Sequence, residues 1–127
     1  SSKKYLVKKD HPDLVFVTLG QNDGLQQTTV YVKTYLKFIS DLRKMHPKIP
    51  FVLCTSPMAK EKLRNHLKTF IQQVVKIAKK KGEQKIIQFS FSKTYGNGCM
   101  SHPTVQEHQQ IAGELYHFIK HNKIVKL

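Results

Sequence analysis

Asp13-Leu14-Val15-Phe16-Val17-Thr18-Leu19-Gly20-Gln21-Asn22-Asp23 is an apolar run that ends at a glycine and breaks into a polar turn. Rich in β-branched and aromatic residues, it predicts a strand buried on both faces of a parallel sheet. Phe51-Val52-Leu53-Cys54-Thr55 repeats the pattern after Pro50, and Lys85-Ile86-Ile87-Gln88-Phe89-Ser90 repeats it more weakly. Segments of helical period lie between and after these runs. From Thr28 to Met45 the apolar face is Val32, Tyr35, Leu36, Ile39 and Leu42, and Pro47 stops it. From Ala59 to Lys81 it is Leu63, Leu67, Phe70, Ile71, Val74 and Ala78, with Gly82 as the C′ residue. From Thr104 to His121 it is Val105, His108, Ile111, Ala112, Leu115 and Ile119, with Thr104 or Ser101 at the N-cap. Tyr35, Phe38, Phe70 and Phe118 read as core or near-core aromatics.

Alternation of strand and helix gives an α/β fold of βαβαβα order, with parallel strands and right-handed crossovers. A sheet of three strands leaves apolar outer edges, so further N-terminal strands or a second chain are expected to complete it. The 127 residues carry 22 Lys plus Arg against 8 Asp plus Glu, a formal charge of +14, and 39% are hydrophobic. That composition is globular and excludes intrinsic disorder, and no apolar run is long enough to span a membrane. The lysines are spread along the chain and not interleaved with aromatics, so they read as solvated helix faces rather than a nucleic-acid stripe. The chain begins without Met and without the apolar core of a signal peptide.

Ligands of open α/β sheets bind at the carboxyl ends of the strands. There the first strand delivers Gly20-Gln21-Asn22-Asp23-Gly24, and the third delivers Tyr95-Gly96-Asn97-Gly98-Cys99-Met100-Ser101-His102-Pro103. Gly20 permits a tight exit, Asn22 offers an amide donor for an oxyanion, and His102, before the last helix, suits a general base. Asn-Asp-Gly alone is equally a plain turn, and a lone histidine before a helix is commonly a cap.

Taken together, Leu19-Gly20-Gln21-Asn22-Asp23 and His102-Pro103 resemble the Gly-x-Asn-Asp and histidine blocks of SGNH hydrolases, the GDSL-type esterases. The run Gly98-Cys99 through His102-Pro103-Thr104-Val105 to His108-Gln109 resembles carbohydrate esterase family 2, the acetyl esterases of plant polysaccharides. The resemblance implies a three-layer flavodoxin-like fold and hydrolysis of acetylated poly- or oligosaccharides without cofactor or metal. In it, Asn22 would serve the oxyanion, His102 would activate a serine, Gly20 would set the turn and Asp23 would fix the loop.

Two departures qualify the transfer. The family's Gly-Asp-Ser block has no counterpart here, and Ser56, Ser90, Ser92 and Ser101 lack its setting. The chain therefore reads as the C-terminal portion of a longer esterase whose serine lies outside these residues; a degenerate carbohydrate-binding module is the alternative. The acid that usually orients the histidine is replaced by Cys99 and Met100, and the resemblance implies a serine–histidine dyad oriented by a backbone carbonyl. A Cys54–Cys99 disulfide would pin the histidine loop and mark an oxidising, extracellular or periplasmic setting. Tyr95 is the candidate sugar-stacking aromatic, and His108 reads as a packing histidine.

Overall fold

The computed structural model describes residues 11–18 and 28–127. The elements run β1 (Val15–Thr18), α1 (Thr28–Met45), β2 (Phe51–Cys54), α2 (Glu61–Lys80), β3 (Ile86–Phe89), a 3-10 turn (Cys99–Ser101) and α3 (Val105–His121). The sheet order is β1-β2-β3 and both pairings are parallel. Phe51 sits opposite Val15 on one side and Ile86 on the other. Each strand and helix follows the sequence reading to within two residues.

β2 lies in the middle, and all four of its residues are buried. Successive side chains of a strand point to opposite faces. Phe51 and Leu53 therefore enter the core with Tyr35, Ile39, Phe70 and Val74 of α1 and α2. Val52 and Cys54 enter a second core with Phe91, Tyr95 and, from α3, Ile111, Leu115 and Phe118. Two helices thus cover one face and one helix the other.

β1 departs from expectation. Only Val17 is buried, while Phe16 is 36% exposed. β1 is an edge strand of the described sheet, and Phe16 belongs to neither core cluster, so its second face is thinly covered. Phe38 is likewise 41% exposed rather than core, leaning edge-on against Tyr35. On α3, Val105, His108 and Ala112 face solvent.

The helix ends follow local rules. Gly82 adopts φ 105°, which an L side chain resists, and closes α2 with bonds from Gly82 N–H to Lys79 O and from Glu83 N–H to Ala78 O. α3 opens with a capping box: Glu107 N–H donates to Thr104 Oγ1, and Thr104 N–H donates to Glu107 Oε1.

The amino end of the sheet is tied by one side chain. Arg43 of α1 pairs with Glu83, donating from Nε to both carboxylate oxygens at 3.1 Å. Its Nη1 donates to His46 O and Ile49 O, its Nη2 donates to Lys85 O, and Cζ lies 3.8 Å from the Phe51 ring centroid. The end of α1, the entry to β2 and the α2–β3 link are thereby held at one guanidinium, whose fork lysine cannot reproduce. Both partners are less than one-fifth exposed, so screening by solvent is partial. Replacement Arg43→Ala is expected to cost about 2–4 kcal/mol, because it strands Glu83 and the His46 and Ile49 carbonyls, while the Lys85 carbonyl keeps Phe51 N–H. Urea unfolding checks this, and a loss below about 0.5 kcal/mol would show that the network is dispensable.

Candidate active site

The carboxyl ends of β2 and β3 carry two loops stitched together. Thr55 Oγ1 accepts from Phe91 N–H at 3.1 Å, and Tyr95 N–H donates to Pro57 O at 2.8 Å. Thr94 Oγ1 donates to Ala59 O and accepts from Arg64. The segment after β3 then runs back along α3. Ser92 N–H donates to Glu114 Oε1 at 3.0 Å, and the Tyr95 hydroxyl bonds the other oxygen of the same carboxylate. Asn97 donates to Glu107 through both its backbone N–H, at 2.9 Å, and its Nδ2, at 3.2 Å. Glu107 and Glu114 are seven residues apart, two helical turns, and so share a face of α3.

Between Asn97 and Thr104 the chain closes into a small ring. Gly98 N–H donates to His102 O at 2.7 Å, and His102 N–H donates to Cys99 O at 3.1 Å. Met100 and Ser101 take φ of 54° and 62°, left-handed conformations costing about 1–3 kcal/mol each in a non-glycine residue. A Cβ at Gly98 would stand 2.6 Å from His102 O, and one at Gly96 would stand 3.0 Å from Ser101 O. Gly98 has an ordinary φ of −86°, so it is required by crowding and not by backbone freedom. The ring turns the imidazole of His102 out to solvent, on a backbone fixed from both sides.

The placement of the expected site residues is mixed. Gly20, Asn22 and Asp23 lie outside the described residues. His102 is exposed at the carboxyl edge, and its ring makes no hydrogen bond to any described residue, so neither the orienting carbonyl nor a serine partner is found among them. Tyr95 is 2% exposed; its ring packs edge-on against Phe91 and has no face left for a sugar. Burial, with the bond to Glu114 second, raises its hydroxyl pKa. The Cys54–Cys99 pairing is not found either. Both thiols are free, because Cys54 points into the layer beneath α3 while Cys99 faces solvent. Burial pushes the Cys54 thiol up to about 12, which leaves it inert. Ser56 is buried, with its hydroxyl accepting from Met58 N–H. Among the described residues no cluster of three His, Cys, Asp or Glu exists that would hold a metal.

The side chains that hold the site, Glu107 and Glu114, escaped the sequence reading. One signal was present: Thr104-Val105-Gln106-Glu107 is a capping-box spelling. Glu107 is 6% exposed. The Thr104 N–H holds its carboxyl below the ordinary 4.5, the Asn97 and Gly96 amides and the Thr104 hydroxyl add to this, and burial opposes it.

Two outcomes are expected. Gly98→Ala should displace the His102 carbonyl and broaden the His102 backbone and ring signals in NMR spectra, while the α1–α2 core signals stay in place. Glu107 has a native pKa below its unfolded one, so its stabilising contribution is complete above about pH 4.5 and fades as pH falls through the native value. Chemical denaturation across that window should show wild type losing stability where Glu107→Gln does not.

The chain matches the GDSL-like lipase/acylhydrolase family over residues 1–115. It is 28% identical over 119 residues to a cellulase/esterase, CelE, of Acetivibrio thermocellus, spanning 89% of this chain and 14% of that protein. It is 26% identical over 107 residues to an acetylxylan esterase/glucomannan deacetylase of Cellvibrio japonicus, spanning 82% of this chain and 29% of that one. Among solved structures it superposes on a family two carbohydrate esterase from Clostridium thermocellum, in complex with cellohexaose, with a TM-score of 0.81 and 26% identity. That superposition takes in 91% of this chain and 37% of the other. The chain therefore spans well under half the length of these relatives, and their parallel α/β sheet is the one described above. The match along residues 1–115, most of the sequence, leads to one conclusion: the chain belongs to the GDSL-like lipase/acylhydrolase family.

Proposed function

We propose that this chain is the C-terminal portion of a carbohydrate O-acetyl esterase, supplying the base His102 and the oxyanion donor Asn22 to a serine carried by a segment beyond these 127 residues. The observation that carries the reading is the rigid presentation of His102 at the carboxyl edge of the sheet, where such folds do their chemistry. The acetylxylan esterase/glucomannan deacetylase among the relatives supports the choice of substrate. Exposed Phe16 on β1, with Phe38 and Met45 on α1, supports a further segment seated beside the described sheet.

In this mechanism the serine hydroxyl attacks the acetyl carbonyl as His102 takes its proton. Asn22 donates to the oxyanion. The tetrahedral intermediate collapses as imidazolium returns the proton to the departing sugar oxygen. Water, deprotonated by His102, then attacks the acyl-serine; the imidazolium gives that proton to the serine oxygen as the acyl C–O bond breaks, releasing acetic acid, which ionises to acetate, and the free serine. Acetylated polysaccharide is the proposed substrate, and the proposed place of action is extracellular or periplasmic, where such polymers lie. The alternative reading is a carbohydrate-binding module that kept the loops and lost turnover, favoured by the absence of any described serine bonded to His102.

The test uses the full-length protein with p-nitrophenyl acetate and acetylated xylan. His102→Ala is expected to lower kcat by roughly 10²–10⁴-fold, and Asn22→Ala by roughly 10²–10³-fold. An unchanged rate in His102→Ala removes the esterase reading. Binding of xylan without turnover in the wild type selects the module.

A further inference from the structure

Glu107 does more than cap a helix. A capping box asks its glutamate only to accept from the N-cap amide. Here the same oxygen that takes Thr104 N–H at 3.0 Å also takes Asn97 N–H at 2.9 Å, and the second oxygen takes Asn97 Nδ2. One carboxylate thus grips both feet of the loop that carries His102. Between the feet lie the two left-handed residues Met100 and Ser101 and the crowded contact of Gly98 with the His102 carbonyl. A strained loop of this kind persists only when its surroundings over-determine it. The grip on Asn97 and Thr104 supplies that constraint, and Glu107 is the one buried acid among the described residues.

We propose that Glu107 is the positioning residue for His102. It acts through the loop backbone, fixing where the imidazole stands, in a site where no described acid bonds the ring itself. It touches neither the ring nor the substrate. This rests on the reading of His102 as the base. The lowered carboxyl pKa agrees with an anion that is hydrogen-bonded on both oxygens.

Three variants test it on this chain by NMR, without recourse to activity. Glu107→Ala is expected to raise amide exchange at Asn97 and Gly98 at least tenfold and to move the His102 ring signals to those of a freely rotating histidine. Glu107→Gln should keep most of the wild-type pattern, since an amide oxygen still accepts from both backbone amides. Thr104→Ala removes the hydroxyl half of the cap and should loosen the first turn of α3 while leaving the His102 ring signals in place. Unchanged loop exchange and ring signals in Glu107→Ala overturn the proposal. Equal disturbance by Thr104→Ala overturns it too, by reducing Glu107 to a helix cap. Where Glu107→Ala does not fold, Glu107→Asp carries the test. Its carboxylate is one methylene shorter and cannot span Thr104 and Asn97 together, so exchange at Asn97 and Gly98 rises and the His102 ring signals shift while the α1–α2 core does not, and no change refutes the idea. In the full-length protein Glu107→Ala should lower kcat about tenfold or more with KM within about twofold, and Glu107→Gln should restore most of it. Should His102→Ala leave turnover intact while the loop responds as described, the esterase reading falls and the positioning stands.

Discussion

The backbone amides of a loop that leaves a sheet must find partners, and here α3 provides them. Glu107 and Glu114, two turns apart, take five donors from Ser92, Tyr95, Asn97 and Thr104. Buried backbone donors left without acceptors are costly, so this polar face determines how the last helix docks as much as its apolar residues do. It explains why Val105, His108 and Ala112 look outward. The helix is rotated to present carboxylates to the loop, and only its second half, through Leu115, Phe118 and Ile119, packs as an ordinary amphipathic helix.

Most of the frame was legible in the sequence because its signals are local. Apolar runs, the first closed by Gly20 and the second opened after Pro50, gave the strands, Gly82 gave the end of α2, and the 3.6-residue period gave the helices. What failed was non-local. A run such as Leu14–Leu19 cannot report how many layers will cover it, so the exposure of Phe16 was invisible. Tyr95, flanked by glycine, read as a loop aromatic in solvent, yet the loop folds back onto Pro57 and α3 and carries its ring inside. Cys54 ends a strand and Cys99 lies in the loop after β3, but pairing depends on side-chain direction, and the two point into different surroundings.

The site was half legible for the same reason. His102 stood out through its position before a helix, and Gly98 through its composition. The role of Gly98 was not visible, because the atom it avoids belongs to the very residue it helps display. Glu107 was not singled out. Its reach to Asn97 spans ten residues and requires knowing that the loop doubles back.

The bracketed ring also bears on conformational entropy. The peptide groups on both sides of His102 are engaged, one with Cys99 and one with Gly98. Bringing the imidazole to bear on a reacting group then requires freezing only its two side-chain torsions, not ordering a loop. That ordering has already been met by the folding of the domain, so each encounter with a ligand begins from an imidazole whose main chain is in place.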